Sequence, residues 1–421
     1  MSEISIVDLV TGLMTASVTN SKNLGRRAIG ICPFCNNRVT KSFIVSDNED
    51  RYACYSCGES GTAKDFLVNA CGYTEYEAGD YLNRMSGKPA ELTSTVNEHN
   101  KALITANKYA ACFYYKCLKE GKEEGSRKAY EYLKDRGLTD ETIRKFGLGF
   151  SRYGVCGRLK KEGITESSLI ECGLGKKSDG KCKDKMFNRV MFPIVKPTSN
   201  GNIVVGFGGR LMQYPDPKYP NAPKYLNTAS TPLFDKKSTL YAWNFASRSK
   251  RKGIILCEGY MDVISLHQAG FDNATATLGT AFTRYHAMLI RKKTDTVYIC
   301  YDSDEAGVKA KLKAIPILKA AGLNVRILSC YPSKDPDELI KSGGSKAFEE
   351  VLTRSMDSYD YVVLQMREMA DNEEDFKKKF AHLIINLSKQ DFDSFIDAYN
   401  KGSKKTDNIY KEILDGYQLK F

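Results

Sequence analysis

From residue 253 onward, short apolar runs alternate with segments of helical period. GIILC (253–257) reads as a buried strand, and GYMDVISLHQAG as a helix closed by Gly270. NATATLG reads as a second strand, residues 284–293 as a helix, and TVYICYD as a third strand. AGVKAKLKAI then reads as a basic helix that Pro316 is expected to kink or split, and LNVRILSC as a fourth strand. Few folds accommodate such alternation. The one that buries every strand is a parallel sheet covered by helices.

Ligands of open sheets of this kind gather beyond the carboxyl ends of the strands. This sequence places acids there. Glu258 ends one strand, Asp302 and Asp304 end another, and Asp335 and Asp337 follow a further one. Asp262 sits one helical turn beyond Glu258. Six carboxylates on one edge repel one another, and an apolar neighbourhood raises the cost. A hard divalent cation removes that cost, and Mg²⁺ prefers oxygen ligands while keeping waters and substrate phosphates in its shell. For a single aspartate, helix capping explains as much: Asp304 and Asp335 each stand just before a helix start.

Near the N-terminus, CPFCNNRVTKSFIVSDNEDRYACYSCGESG pairs Cys32 with Cys35 and Cys54 with Cys57, with 18 residues between the pairs. Two such knuckles deliver four thiolates to one tetrahedral zinc, and four sulfurs leave no open position, so the metal is structural. SFIVSDNEDRYAC reads as a hairpin, and Gly58 and Gly61 suit tight turns after a knuckle. A redox-active pair is the competing reading. Arg38, Lys41, Arg51, Phe43 and Tyr55 are candidates for meeting single-stranded DNA through phosphates and base stacking, or are ordinary surface and core.

At 421 residues the chain is longer than one core usually serves. Residues 1–85 hold the cysteines and short helical stretches. Residues 86–105 read as a linker with the next helix beginning inside its end, 106–252 and 253–350 mix helices and strands, and 351–421 read as helical. Net charge is +12, which suits a polyanionic partner. Thirteen cysteines, an odd number scattered through apolar contexts, point to a reducing cytoplasm rather than a disulfide framework. No run is long and apolar enough for a membrane span, and no basic, apolar leader opens the chain.

EGYMD (258–262), LGTAFT (278–283), YDSDEAG (301–307) and KDPDE (334–338) resemble the Toprim domain of bacterial and phage DnaG-type DNA primases. Upstream, YLKDRGLTDETIRKFGLGF (132–150), NRVMFPI (188–194), GFGGRLM (206–212), PKYLNTA (223–229) and LYAWNFA (240–246) resemble that family's RNA polymerase domain. The ribbon and the GTAKDFL after it resemble its N-terminal domain. The likeness covers residues 1–350. It implies a multidomain α+β protein: an N-terminal zinc ribbon, a mixed α/β primase core with a Rossmann-like Toprim parallel sheet, and a short helical C-terminal region.

The implied reaction is nucleotidyl transfer from ribonucleoside triphosphates, making short RNA primers on single-stranded DNA and so an RNA–DNA duplex. By analogy Glu258, Asp302 and Asp304 are the first catalytic carboxylates, with Asp262, Asp335 and Asp337 supporting Mg²⁺ or Mn²⁺. Arg136, Arg189, Arg210, Lys224 and Asn227 match the family's nucleotide- and template-binding positions. Gly206, Gly208 and Gly209 either let backbone approach the polynucleotide or mark a bulged strand.

The chain departs from the family twice. All four zinc ligands are cysteines where a histidine is common, which makes a phage origin plausible. The helical C-terminal region is short, so docking of a replicative helicase through Phe376, Phe380, Leu383 and Ile384 competes with simple packing. A Toprim nuclease or topoisomerase, and a non-catalytic single-stranded DNA-binding accessory, are the alternative functions.

Overall fold

The structure, a computed structural model, describes residues 5–13, 16–21, 25–35, 41–70, 78–79, 81–82, 93–198, 201–212, 221–384 and 389–401. The chain divides into two compact units. One comprises the described residues of 64–323 and 330–350, and the other those of 5–63, 324–329 and 351–401.

The first unit carries the alternating segments. Ile254–Cys257, Ala274–Ala276 and Thr296–Cys300 form strands, and Ile254–Cys257 lies between the other two, parallel to both. Every residue of Ile254–Cys257 is buried, as expected for a strand covered on both faces. Helices Tyr260–Gln268, Arg284–Arg291 and Glu305–Ala320 follow the three strands in turn. The last is not split at Pro316 but runs through it as one helix to a cap at Ala321. Upstream, Tyr225–Asn227, Gly201–Leu211, Arg189–Thr198 and Gly149–Ser151 form an antiparallel sheet in that order. The helix that was expected to start late in 86–105 starts at Thr93 and continues to Glu120. Its buried Tyr114 meets Phe207 of the antiparallel sheet edge-on, with ring centroids 5.3 Å apart.

Gly206, Gly208 and Gly209 are explained by packing within the protein. The register shifts between Val204 and Gly206, which is the bulge. A Cβ on Gly208 would stand 2.3 Å from the Tyr260 hydroxyl, and one on Gly209 2.9 Å from Arg189 Cδ. Tyr260 fills the space beside Gly208, stacks on Phe192 with ring centroids 4.7 Å apart, and donates its hydroxyl to Asn227 Oδ1 at 2.7 Å.

The N-terminal segment carries short helices, as expected, at Ile6–Leu13 and Ala63–Asn69, and in the second unit the rest of it is largely sheet. Ala16–Ser21, Gly25–Gly30, Phe43–Ser46, Arg51–Cys54 and Ser60–Gly61 pair antiparallel in chain order. The expected hairpin is present, with Phe43 opposite Cys54 and Ser46 opposite Arg51. Phe43 is buried against Tyr52, with centroids 5.4 Å apart, so it is core. Gly58 takes a left-handed φ of 77°, whereas Gly61 lies in a strand. The expected fourth strand, Asn324–Ile327, pairs antiparallel with Met356–Asp357.

The C-terminal helices Ser358–Glu368, Glu373–Ile384 and Lys389–Lys401 enclose their own core of Val363, Phe376, Phe380, Phe392, Phe395 and Tyr399. Leu383 packs against it. Phe376 and Phe380 are thus internal, which favours packing over docking for these side chains. Those of Ile384 and Arg38 lie outside the described residues. No helix among the described residues is long and apolar enough to cross a membrane.

Candidate active site and metal centre

The strand ends bring the acids together. Glu258 follows the central strand directly, and its Oε1 accepts the main-chain amide of Asp302 at 3.0 Å. Asp304 caps the helix Glu305–Ala320, accepting from the Gly307 amide at 2.9 Å. That approach needs glycine: a Cβ on Gly307 would stand 2.2 Å from Asp302 O and 2.9 Å from Glu258 Oε1. Asp262 accepts from the Gly259 amide at 3.0 Å, and Asp335 from the Glu338 amide at 2.8 Å. The capping reading of Asp304 and Asp335 is therefore realised, with their remaining lone pairs still available.

The acids feel one another. Burial, and then the charge of Asp302, hold the Glu258 carboxyl above its usual range. Burial and the charge of Asp335 do the same for Asp302. Asp262 is pushed up to about 8 by burial first, then by Asp335 and Asp302. Such a set prefers protons, or a cation, to bare charge.

Two lysines that the sequence did not single out temper it. Lys334 Nζ lies 3.7 Å from Asp302 Oδ2. Lys311, only 5% exposed, donates to the main-chain carbonyl of Asp302 at 3.1 Å. Its spacing from Asp304, seven residues along one helix face, was the available signal.

Asp337 is placed differently from its neighbours. Its side chain is 3% exposed, and Oδ2 receives Arg136 Nη2 at 2.5 Å and Lys341 Nζ at 2.7 Å. It is paired with two cations of the protein itself, Arg136 and Lys341.

The basic residues divide likewise. Arg189, expected at the nucleotide or template, is 4% exposed. Its guanidinium donates to the carbonyls of Gly209 (3.0 Å), Lys224 (3.2 Å) and Pro223 (2.9 Å). Asn227 differs from the same expectation, since Nδ2 donates to Leu278 O at 2.7 Å and Oδ1 serves Tyr260. Both frame the segment that carries Lys224. Lys224 itself is exposed, and the Arg210 guanidinium lies 4.2 Å from the centre of the Tyr132 ring.

The donor set of the acids is all oxygen, with Glu258, Asp262 and Asp302 held above their usual range by burial first and then by neighbouring charge, and it fits a hard divalent cation. Among the described residues, however, only the cysteines bring a full set of ligand atoms within 4.8 Å of one another. The looser acid cluster fits an ion that keeps waters and substrate oxygens in its shell.

The four cysteines form a ready-made centre. Cys32 Sγ lies 3.9 Å from Cys57 Sγ, and Cys35 Sγ 3.9 Å from Cys54 Sγ. Four sulfurs about 2.3 Å from a central ion stand about 3.8 Å apart, so the cage is of the right size for zinc. The amides of Phe34 and Ser56 donate to Cys32 Sγ (3.3 Å) and Cys54 Sγ (3.4 Å). Burial raises the Cys54 thiol, but donors led by the Ser42 hydroxyl outweigh it and bring it to about 6. Tyr55, at the tip of this knuckle, is 80% exposed.

Comparisons with known proteins agree along the chain. Residues 1–98 match the CHC2 zinc finger family, 113–247 the DNA primase catalytic core, N-terminal domain, and 255–340 the Toprim-like family. A DNA primase of Clostridium acetobutylicum is 34% identical over 97% of this chain and 67% of its own length. One from Listeria innocua is 33% identical over 83% of this chain and 56% of its own. The chain therefore spans between about half and two thirds of these relatives. Among solved structures, the zinc-binding and RNA polymerase domains of Aquifex aeolicus primase superpose with a TM-score of 0.60 and 28% identity, covering 99% of this chain and 96% of that one. The Escherichia coli primase catalytic core gives 0.59 and 28%, covering 72% and 99%. Motifs, fold, four-cysteine centre and relatives thus coincide: the chain belongs to the DnaG-type DNA primase family, the nucleotidyltransferases that synthesise RNA primers.

Proposed function

We propose that this chain polymerises ribonucleotides into short RNA primers on single-stranded DNA for replication. A ribose 3′-hydroxyl attacks the α-phosphate of a ribonucleoside triphosphate, the new phosphodiester forms, and pyrophosphate leaves. The observation that carries this reading is the gathering of acids at the strand ends, where Glu258 Oε1 holds the Asp302 amide against Gly307 and burial first, then neighbouring charge, holds the Glu258, Asp262 and Asp302 carboxyls above their usual range, within a chain of this family.

Magnesium or manganese, when bound, supplies activation of the hydroxyl and stabilisation of the leaving phosphate oxygen. Glu258, Asp302 and Asp304 are the residues that would hold it first, with Asp262 and Asp335 behind them. Arg210 and the exposed Lys224 hold triphosphate or template phosphates. Arg189 fixes the backbone at Lys224, so it acts one step removed. The four cysteines hold one structural zinc. The exposed Tyr55 and Arg51 offer the template a base-stacking face and a phosphate contact.

A relative in this comparison, the DnaG primase catalytic domain bound to ssDNA, superposes with a TM-score of 0.60 at 28% identity, which supports single-stranded DNA as the template class. The product is an RNA–DNA duplex. A separate replicative helicase is part of this reading as a partner, and the buried Phe376 and Phe380 are not its contacts. Ribonucleotides and a replication template place the reaction in a bacterial or phage-infected cytoplasm.

The test is direct. Purified chain with single-stranded DNA, Mg²⁺ or Mn²⁺ and labelled ribonucleotides is expected to yield short RNA. Cut template without RNA would establish a nuclease instead, and a shifted template with neither product a binding module.

A further inference from the structure

The loop after the helix Glu124–Asp135 reaches two acid-bearing elements of the same unit. The first is the helix Tyr260–Gln268, which starts two residues after Glu258 and carries Asp262. Its last residue, the exposed Gln268, grips the loop with both ends of its amide. Oε1 accepts from Thr139 N at 2.9 Å, and Nε2 donates to Gly137 O at 2.9 Å. The second is the helical segment Pro336–Thr353, which starts one residue after Asp335 and is kinked at Gly344. Its Asp337 receives Arg136 from the loop at 2.5 Å, and Lys341 closes the other side at 2.7 Å. Gly137 makes the turn between the two grips with a φ of 82°, a conformation that favours glycine.

The Arg136–Asp337 pair has a further property. Arg136 Nε and Asp337 Oδ1 are both buried, and each lacks a hydrogen-bond partner. They are the donor and acceptor that would turn a one-point contact into a two-point fork.

We propose that residues 136–139 brace the active site, with Arg136 a positioning residue that locks Asp337 and so holds Asp335 at its working separation from Asp262. The proposal rests on the primer-synthesis reading for its consequence, and on the geometry alone for its mechanism. It differs from a role for Arg136 in holding nucleotide or template. Asp337 is 2% exposed, and freeing Arg136 for a ligand would leave that carboxylate with Lys341 alone.

The experiment compares the full-length chain with Arg136→Met, Arg136→Lys, Asp337→Asn and Gln268→Ala. Mn²⁺ binding is followed by electron paramagnetic resonance without nucleotide. Primer synthesis is then resolved into kcat and KM, and DNA affinity is measured separately. Arg136→Met and Asp337→Asn are expected to weaken Mn²⁺ binding by roughly tenfold, the scale of losing an outer-shell partner. They should lower kcat, with the KM for ribonucleotides and the Kd for DNA within about twofold of wild type. Their double mutant should be no worse than the worse single, because both remove one contact. Arg136→Lys should recover part of the loss, and Gln268→Ala should move the same quantities in the same direction by less.

A raised KM or Kd in Arg136→Met with Mn²⁺ binding intact would overturn the proposal, since the arginine would then hold ligand itself. If Arg136→Met and Asp337→Asn fail to fold, unchanged Mn²⁺ binding and kcat in Gln268→Ala overturns it. A wild-type chain that binds Mn²⁺ but makes no RNA would sink the primer reading while leaving the brace to be decided by the Mn²⁺ data.

Discussion

Glu258 Oε1 accepts the Asp302 amide at 3.0 Å, so one acid at the strand ends pins the backbone that presents the next. Glutamine keeps an oxygen for that amide and loses the charge, whereas alanine loses both. Glu258→Gln is therefore expected to cut primer synthesis by about a hundredfold or more, with single-stranded DNA affinity within about twofold, because DNA contacts rest on basic residues. Glu258→Ala should add a drop in Tm. Retained synthesis in Glu258→Gln would refute the metal assignment.

The pH dependence follows from Asp262, whose carboxyl is pushed up to about 8, chiefly by burial. The folded chain holds this proton where the unfolded chain has released it. The stability contribution is therefore complete below about pH 4 and is lost as pH rises through about 8. In Mg²⁺-free buffer, Tm should fall between pH 6 and pH 8.5, and Asp262→Asn should flatten that fall. Metal requires the deprotonated form, so Mn²⁺ affinity should rise over the same interval. A Tm profile unchanged by Asp262→Asn would contradict the placement of this group.

Gly307 has no room for a methyl group, since Asp302 O would be 2.2 Å from it. Gly307→Ala is expected to displace Asp302 and Glu258, abolish synthesis and lower Tm. Gly157→Ala, in the helix Val155–Lys161 with nothing within 4 Å of the new atom, should be neutral or stabilising by up to about 1 kcal/mol. Full activity in Gly307→Ala, read in the same primer assay, would show that the strand ends tolerate displacement.

The four-cysteine centre should release one equivalent of zinc to a thiol-reactive mercurial, measured with a colorimetric chelator. Metal binding there is folding energy for the ribbon, so release should expose it to protease while residues 113–340 stay resistant. Cys57→Ser should weaken zinc retention. A chain that holds no zinc yet keeps a protease-resistant ribbon would refute the structural role.

Sequence alone exposed what depends on spacing. The CPFC and CYSC knuckles, the parallel strands and the acids at their ends all follow from local pattern. It did not expose what depends on distant partners. Arg189 and Asn227 read as ligand contacts because type and motif are visible, whereas the carbonyls they satisfy belong to other segments. Asp337 looked like Asp335, and only the fold shows Arg136, 201 residues away, beside it. Strands Ala16–Ser21 and Gly25–Gly30 escaped notice because ASVTNS and GRRAIG lack apolar alternation. Pro316 reads as a kink or a split, but the helix is not split, because packing of the buried Ala314, Ile315 and Leu318 around it carries the helix onward.

Tyr260 stands at the start of a Toprim helix, yet its ring rests on Phe192, its hydroxyl is held by Asn227, and the hollow that receives it is the bare backbone of Gly208. Packing thus crosses the boundary that the motifs suggest at residue 252. Cutting the polypeptide there would strand an aromatic plug without its socket, and the two halves are expected to aggregate apart and to regain solubility only when produced together.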